Sequence, residues 1–225
     1  MNAGLYPKLS YDTLKDFTPL TRLLVSPTLL IVPVNSRLRT WQDLVEAARS
    51  PKGLNYGSYG MGSQPHIWME MFNREIKGNL THVAYKGGAP AVQDLMAGHI
   101  DLMLDVTPSS IPLVREGKVR ALTVVGSEQR LPQLPRVPTV GELGMPGLNV
   151  PGWTGALVKA GTPEAIANLL HDELVKAVRS PDVVQRYTDL GLQVAPSSRA
   201  EFGELIRTET SRWGKVIREV GVTLD

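Results

Sequence analysis

Two glycine-rich turns in this sequence of 225 residues contain groups that could bind an anion. The first is the segment 57–63, GSYGMGS, between a predicted strand and a predicted helix that begins near Gln64. Its glycines can adopt positive φ and let the backbone approach a ligand closely. A helix N-terminus offers unpaired N–H groups and partial positive charge, and Ser58 and Ser63 add hydroxyl donors. This pattern predicts a carboxylate site, although the same residues also fit a tight turn needed only for packing.

The second turn is the segment 85–90, YKGGAP, where another predicted strand ends and a helix opens with Pro90 near its first position. Ligands of open parallel sheets bind beyond the carboxyl ends of the strands. Two such turns on successive strands are therefore expected to face one crevice. Lys86 could pair directly with a bound anion, but we favour a solvated position at the rim for this side chain.

A third polar segment, DVTPSS at 105–110, also follows an apolar strand. Asp105 could orient a donor group of a ligand. It could equally cap the helical turn that follows, because aspartate is a preferred capping residue. Both interpretations of Asp105 stay open at this point.

Residues for catalysis or metal binding are not evident in the sequence. The four histidines, His66, His82, His99 and His171, include no pair at the spacing of helical metal ligands. We interpret His66, near a helix start, as a packing or capping residue. There is no G-x-S-x-G nucleophile elbow, and there are no cysteines. The sequence thus predicts no enzymatic activity, no metal and no cofactor.

The composition is that of an ordinary globular protein, with 42% hydrophobic and 20% charged residues. A formal net charge of +2 with dispersed basic residues, and an aromatic content of 6%, argue against a nucleic-acid partner. No apolar run approaches the roughly 20 residues of a membrane helix. The first residues lack the features of a secretory signal, so the chain as written is expected to have no export address.

Strand, small-residue turn and helix alternate between residues 54 and 126, which predicts an α/β fold with a parallel sheet and helical crossovers. Two apolar runs separated by Pro27 are expected to be strands. The segment 127–151 is interpreted as an ordered loop that connects two lobes. Three helices have recognisable boundaries: Trp41 to Arg49 with Thr40 as N-cap, a helix with Thr162 as N-cap and Pro163 at N1, and an amphipathic helix from Glu201 to Val220.

Six segments that occur in order along the chain closely resemble the Bug family, the TctC-type solute-binding proteins of tripartite tricarboxylate transporters. The segments are LYPKLSYDTLKDFTPL, LNYGSYGMGSQPH, HVAYKGGAPAVQDLMAGHIDLMLDVTPS, GKVRALTVV, LPRVPTVGELG and AGTPEAI. The resemblance covers essentially the whole chain.

The resemblance implies a Venus flytrap fold of the type II periplasmic binding proteins, with two α/β lobes that close about a hinge. We expect residues 1–34 and 128–225 to form the first lobe and 35–127 the second. A small carboxylate (a dicarboxylate, an amino acid or an aromatic acid) would be the ligand, and membrane components of a tripartite transporter the partners. The implied ligand-binding positions are Ser58, Gly60, Met61, Gly62, Ser63, Gln64, Tyr85, Lys86, Gly87, Gly88, Ala89 and Asp105.

The sequence departs from the family pattern at its start. Family members begin with a signal peptide, a strand and a Pro/Gly-rich loop, on the order of 70 residues by the proportions of a half-lobe, before the LYPKL region. We therefore expect an incomplete first lobe that could self-associate. Family membership implies the periplasm, whereas a complete chain without a signal would be cytoplasmic. The alternative function is a homologue without tight binding that acts as a regulatory or protein-interaction module.

Overall fold

The computed structural model describes residues 1–224, which form two compact units of mixed α/β structure. The first unit contains Met1–Ser26 and 152–224, and the second contains Pro27–Pro151. The predicted α/β class is confirmed. In chain order the elements are α1 Asn2–Leu5, β1 Phe17–Ser26, β2 Thr28–Pro33, α2 Trp41–Arg49, β3 Leu54–Ser58, α3 Gln64–Ile76, β4 Leu80–Ala84, α4 Gly88–Ala97, β5 Leu102–Val106, α5 Thr107–Arg115, β6 Val119–Val125, a 3-10 turn Pro146–Leu148, β7 Gly152–Lys159, α6 Glu164–Val178, α7 Pro181–Asp189, β8 Gln193–Val194 and α8 Arg199–Val220.

The first unit is built on an antiparallel sheet of order β7-β1-β8. Helix α8 packs on β1, and Phe202, Ile206 and Trp213 lie on its buried face. The helix begins two residues before the predicted start at Glu201, because Ser198 forms a reciprocal capping box with that glutamate. The predicted amphipathic helix is thus confirmed with a small shift of its start.

The second unit contains a five-stranded sheet of order β4-β3-β5-β2-β6. Strand β3 is parallel to β4 and β5, as the alternating pattern predicts. Strand β2 is antiparallel to both of its neighbours, β5 and β6. The parallel sheet predicted for residues 54–126 is thus confirmed for β3 to β6, and β2, which lies outside that alternating pattern, adds one antiparallel strand between β5 and β6.

Apolar side chains cover both faces of this sheet and form two buried clusters. One cluster joins the sheet to α2 and α3, and the other joins it to α4 and α5. The first includes Leu30, Leu44, Trp68, Phe72 and Leu104, and the second includes Leu29, Ile31, Leu95, Met103 and Ile111. Alternating strand residues thus face opposite clusters, which is the expected pattern for a sheet buried on both sides.

The boundaries between the units differ from the predicted ones. Pro27 separates β1 from β2, as expected, but the two strands lie in different sheets, so the first boundary follows Ser26 and not residue 34. The segment 127–151 belongs to the second unit, because Val140 and Leu148 are buried in its core. The Trp68 indole N–H also donates to the Leu148 carbonyl at 2.8 Å. The segment 127–151 thus runs from β6 to β7 as an ordered, mostly irregular connection, as predicted, but it belongs to the second unit and not to the first.

The N-cap residue predicted from the sequence is correct for α2 and wrong for α6. Thr40 caps α2 with a capping box completed by Asp43. In α6 the N-cap is Pro163, and the Thr162 hydroxyl instead donates to the Lys159 carbonyl at 2.7 Å, closing the turn after β7. Among the helices of residues 1–224, none has the length and apolar content that a membrane crossing requires.

Candidate functional site

Two glycine loops lie side by side where β3 and β4 end. The parallel pairing of these strands places Ser58 opposite Ala84, so the first glycine loop (Tyr59–Ser63) and the second (Tyr85–Gly87) leave the same edge of the sheet. The Tyr85 N–H donates to the Ser58 carbonyl at 3.1 Å. A Cβ at Gly60 would come within 3.3 Å of the Tyr85 carbonyl. The structure thus brings the two predicted loops together.

The backbone of both loops uses the left-handed region that favours glycine. Gly60 has φ of 126°, Gly62 of 73° and Gly87 of 113°. Gly87 is the N-cap of α4 and has ψ of 177°, a combination that is essentially restricted to glycine. Space is also limited beside the next residue, since a Cβ at Gly88 would lie 3.1 Å from the Tyr59 ring. Glycine is therefore required by conformation in these loops.

Each glycine loop ends in the N-terminus of a helix. Ser63 is the N-cap of α3 and Gly87 that of α4, and neither makes a side-chain capping bond. The first N–H groups of a helix have no intrahelical acceptor and carry partial positive charge. The first-turn N–H groups of Gln64, Gly88 and Ala89 therefore have no acceptor within their own helix.

The predicted serine donors are engaged inside the first glycine loop. The Ser58 hydroxyl is buried, donates to the Gly60 carbonyl at 3.0 Å and accepts the Gly60 N–H at 3.1 Å. The Ser63 hydroxyl donates to the same carbonyl at 2.7 Å. These contacts fix the loop and engage both hydroxyls within it. Direct contact of either serine with a ligand stays a prediction.

Two histidines support the first glycine loop, and only one of them was singled out from the sequence. The His66 and His82 rings stack with centroids 3.9 Å apart. His66 Nδ1 accepts the Gly62 N–H at 3.0 Å, just before the start of α3, which makes the predicted packing or capping role specific. The proximity of His82 could not be predicted, because it depends on the register of β3 with β4. Within residues 1–224 no three potential metal-ligating side chains converge.

Burial controls the protonation of both rings. It lowers the pKa of His66. Burial and, next, the nearby His66 ring lower the pKa of His82 to about 4, whereas Glu70 acts in the opposite direction. Both imidazoles are therefore neutral at pH 7, when Nδ1 of His66 can accept the Gly62 N–H.

Asp105, the last residue but one of β5, is a buried carboxylate, 1% exposed. It accepts from the Tyr59 hydroxyl of the first glycine loop and from the Ser109 and Ser110 hydroxyls at 2.5 Å each. The N-cap of α5 is Val106, without a side-chain capping bond, so Asp105 does not cap the helix in the predicted way. Its observed contacts tie the first glycine loop to α5, and its role in orienting a ligand stays a prediction.

Three other predicted residues differ in exposure. Lys86 is exposed, which agrees with the favoured solvated position, and Met61 at the tip of the first glycine loop is 52% exposed. The Tyr85 hydroxyl donates to Asp94 at 2.7 Å. Burial and this bond raise the pKa of Tyr85 to about 12, so the tyrosine stays protonated. Met61 and Lys86 are thus available at the surface beside the backbone donors.

Known proteins resemble this chain in sequence and in structure. The family described as tripartite tricarboxylate transporter family receptor (TctC) matches residues 2–222. A UPF0065 protein of Pseudomonas sp. (strain P51) is 38% identical over 216 residues, or 95% of this chain. Among solved structures, MatC of Rhodopseudomonas palustris with bound malate is 34% identical with a TM-score of 0.86, over 96% of this chain and 74% of MatC. Rpa4515 of R. palustris with adipate is 30% identical with a TM-score of 0.88, over 99% and 74% of the two chains.

The chain spans 64% of the length of the Pseudomonas relative. It matches each of the two solved structures over about three quarters of their length. The correspondence therefore covers nearly all of this chain and a part of each longer protein.

Proposed function

The chain belongs to the TctC family of tripartite tricarboxylate transporter receptors, and from this premise we propose that it is a solute-binding protein for a small carboxylate. The ligand class rests on MatC and Rpa4515, which are similar to this chain and hold malate and adipate. The observation that carries the proposal to this chain is the pair of uncapped helix N-termini at the two glycine loops.

The two helix N-termini would supply the binding groups for one carboxylate. The N–H groups of Gln64, Gly88 and Ala89 have the geometry and partial charge that suit an anion. Bonds between N–H groups and a charged acceptor are among the stronger hydrogen bonds in proteins. The exposed Met61 would offer apolar surface to the carbon skeleton of the acid, and the exposed Lys86 would add a positive field at the rim.

Binding without chemistry is part of the same proposal. The family is named for receptors, and the polar side chains of the two loops are engaged in hydrogen bonds within the loops or with neighbouring residues such as Asp94 and Asp105. The His82 ring contacts Ser58 at 2.6 Å, an arrangement that superficially resembles a base beside a nucleophile. However, the Ser58 hydroxyl is buried and held by Gly60, so we propose that this contact supports the loop and performs no reaction.

We further propose that the protein works in the periplasm and passes its ligand to the membrane components of a tripartite transporter. This proposal rests on the family description. Fractionation of the producing cells, with detection of the native protein, tests the compartment, and recovery only from the cytoplasm would contradict it.

A melting-temperature panel tests the ligand class. The panel contains malate, adipate, citrate, glutamate and benzoate, each at several concentrations, with adipamide as the uncharged control for adipate. A ligand that binds only the folded state raises the melting temperature by mass action. We expect at least one acid to do so in a concentration-dependent manner and adipamide to have no effect. Absence of a shift with every acid would contradict the proposal and favour the interaction module.

A further inference from the structure

The stacked imidazoles of His66 and His82 lie against the inner side of the first glycine loop. Their centroids are 3.9 Å apart and their planes differ by 10°. The Tyr56 ring continues the stack, 5.0 Å from His82. His66 is only 3% exposed. Two rings in this arrangement are compatible while neutral, but two cations at this separation repel each other strongly in a buried environment.

Each ring holds one glycine of the loop. His66 Nδ1 accepts the Gly62 N–H at 3.0 Å, which requires that Nδ1 carry no proton. His82 Nε2 lies 2.6 Å from the Ser58 hydroxyl, and that oxygen in turn accepts the Gly60 N–H at 3.1 Å. The two left-handed glycines are therefore anchored to the stacked pair, directly or through one serine.

We propose that His66 and His82 are positioning residues of the carboxylate site, and that a proton on either ring releases the first glycine loop and weakens carboxylate binding. This inference rests on the proposed function. A proton on His66 Nδ1 would place two N–H donors against each other at Gly62. Because the Ser58 hydroxyl donates to the Gly60 carbonyl, His82 Nε2 is the donor to the Ser58 oxygen, and a proton added to His82 would act through its charge, which would lie in the stack beside the buried His66 ring.

The charged and titratable groups around His66 and His82 determine the pH at which these rings gain a proton and release the first glycine loop. Tyr56 on β3 and Glu70 on α3 face the rings, and the Tyr56 hydroxyl donates to the Glu70 carboxylate. Glu70 favours a proton on His82, but burial and His66 outweigh it, so the pKa of His82 falls to about 4. The loop is consequently expected to hold at neutral pH and to loosen as pH falls toward 4.

Amide substitutions separate proton sensitivity from support of the loop. His66→Asn offers an oxygen where Nδ1 accepts, and His82→Gln offers an amide where Nε2 meets Ser58; neither amide titrates. His66→Phe keeps an aromatic ring but removes the acceptor. His99→Asn is the matched control, because that imidazole is 69% exposed and bonds to Asp94, outside the loop.

The experiment has two arms, run on the parent, His66→Asn/His82→Gln, His66→Phe and His99→Asn. Nitrogen NMR without ligand follows the Gly60 and Gly62 amides from pH 7.5 to pH 4. Calorimetry with malate and adipate measures the dissociation constants at both ends of that range. Because all proteins meet the same acid, titration of the ligand cancels in the comparison.

In the parent we expect the two glycine amides to shift with the histidines, and Nδ1 of His66 to be unprotonated at pH 7.5. About half of the His82 rings are protonated at pH 4, so the parent should lose roughly two-fold or more affinity beyond the loss of the double amide variant. His99→Asn should behave as the parent, and His66→Phe should bind weakly at both pH values.

The outcomes distinguish this inference from the proposed function. Equal pH profiles of the parent and the double amide variant, or glycine amides that do not move with pH, would overturn the positioning role while leaving carboxylate binding intact. Absence of binding by the parent at pH 7.5 would overturn the proposed function and this inference with it. If the double variant fails to fold, His66→Asn and His82→Gln tested singly provide the same comparison.

Discussion

Asp105 places a negative charge inside the second unit with hydroxyl groups as its partners. The carboxylate is 1% exposed, and it accepts from Tyr59, Ser109 and Ser110. A buried charge is tolerated when its lone pairs are satisfied, and hydrogen bonds to a charged group each contribute about 1.5–3 kcal/mol. Asp105 is therefore expected mainly to stabilise the end of the sheet at which the first glycine loop lies.

Replacement of this carboxylate tests that role. Asp105→Asn puts an amide donor where a hydroxyl now donates, and we expect the free energy of unfolding to fall by about 2–3 kcal/mol. Urea denaturation at pH 7 measures the change. The control is Asp101→Asn at the other end of β5, where the carboxylate is partly exposed and accepts the Asn55 N–H at 2.8 Å. An equal decrease in the free energy of unfolding for the two variants would show that the contacts of Asp105 stabilise the protein no more than the contact of Asp101 does.

The packing of α8 against β7 explains why residue 155 is a glycine, which the sequence alone does not reveal. A Cβ built at Gly155 would lie 2.1 Å from the Phe202 ring of α8, far inside van der Waals contact. Trp153 of the same strand meets that ring edge-on at 5.4 Å. Helix α8 can therefore approach the sheet only because residue 155 has no side chain.

Addition of a single methyl group should separate this helix from its sheet. Overpacking of a well-packed site typically costs about 1–3 kcal/mol, so we expect Gly155→Ala to lower the free energy of unfolding by that amount. Gly147→Ala is the control, since a Cβ there meets no atom within 4 Å. Urea denaturation of both variants checks the prediction, which is wrong if Gly155→Ala is as stable as the control.

Elements with local signals were predictable from the sequence, and contacts between distant elements were not. The start of α2 follows from Thr40 and Asp43, whose capping contacts span a single turn. The separation of β1 from β2 into two sheets depends on pairing with strands far away in the chain, and Pro27 alone does not reveal it. The glycine loops are predictable because left-handed backbone conformations favour glycine. The stacking of His66 on His82 is not, because it depends on the register of β3 with β4.

The two units of the molecule differ in how much apolar surface they bury. Helix α6 has one buried residue, Ala167, and α7 has none. Large hydrophobic side chains on β7 and α6 are exposed in their place: Leu157, Ile166, Leu169 and Leu170. In the second unit, by contrast, both faces of the sheet are covered by buried clusters. Exposed apolar surface of this kind is typical of an interface.

The first unit is therefore expected to self-associate or to exchange its amide protons faster than the second. Light scattering over a range of concentrations and hydrogen exchange measure the two effects. Ile166→Gln/Leu169→Gln should reduce association, whereas the control Met96→Gln, at an exposed position of α4 in the second unit, should not. A monomeric protein with equally strong protection in both units would refute this expectation.

Carboxylate binding at the glycine loops can be tested with a matched pair of glycines at the two ends of α4. Gly87 at the N-terminus and Gly98 at the C-terminus both have positive φ, and a Cβ at either meets no atom within 4 Å. Alanine at either position strains the backbone by about 1–3 kcal/mol. Only Gly87 adjoins the N–H groups proposed to hold the ligand.

Calorimetric titration of malate and adipate into the parent, Gly87→Ala and Gly98→Ala at pH 7.5 is the most direct measurement. Loss of one or two charge-assisted hydrogen bonds corresponds to about ten-fold or more in affinity. We expect an acid bound by the parent to bind Gly87→Ala at least about ten-fold more weakly, and to bind Gly98→Ala within about two-fold of the parent. Equal affinity of all three proteins for that acid would show that the carboxylate does not bind at the glycine loops.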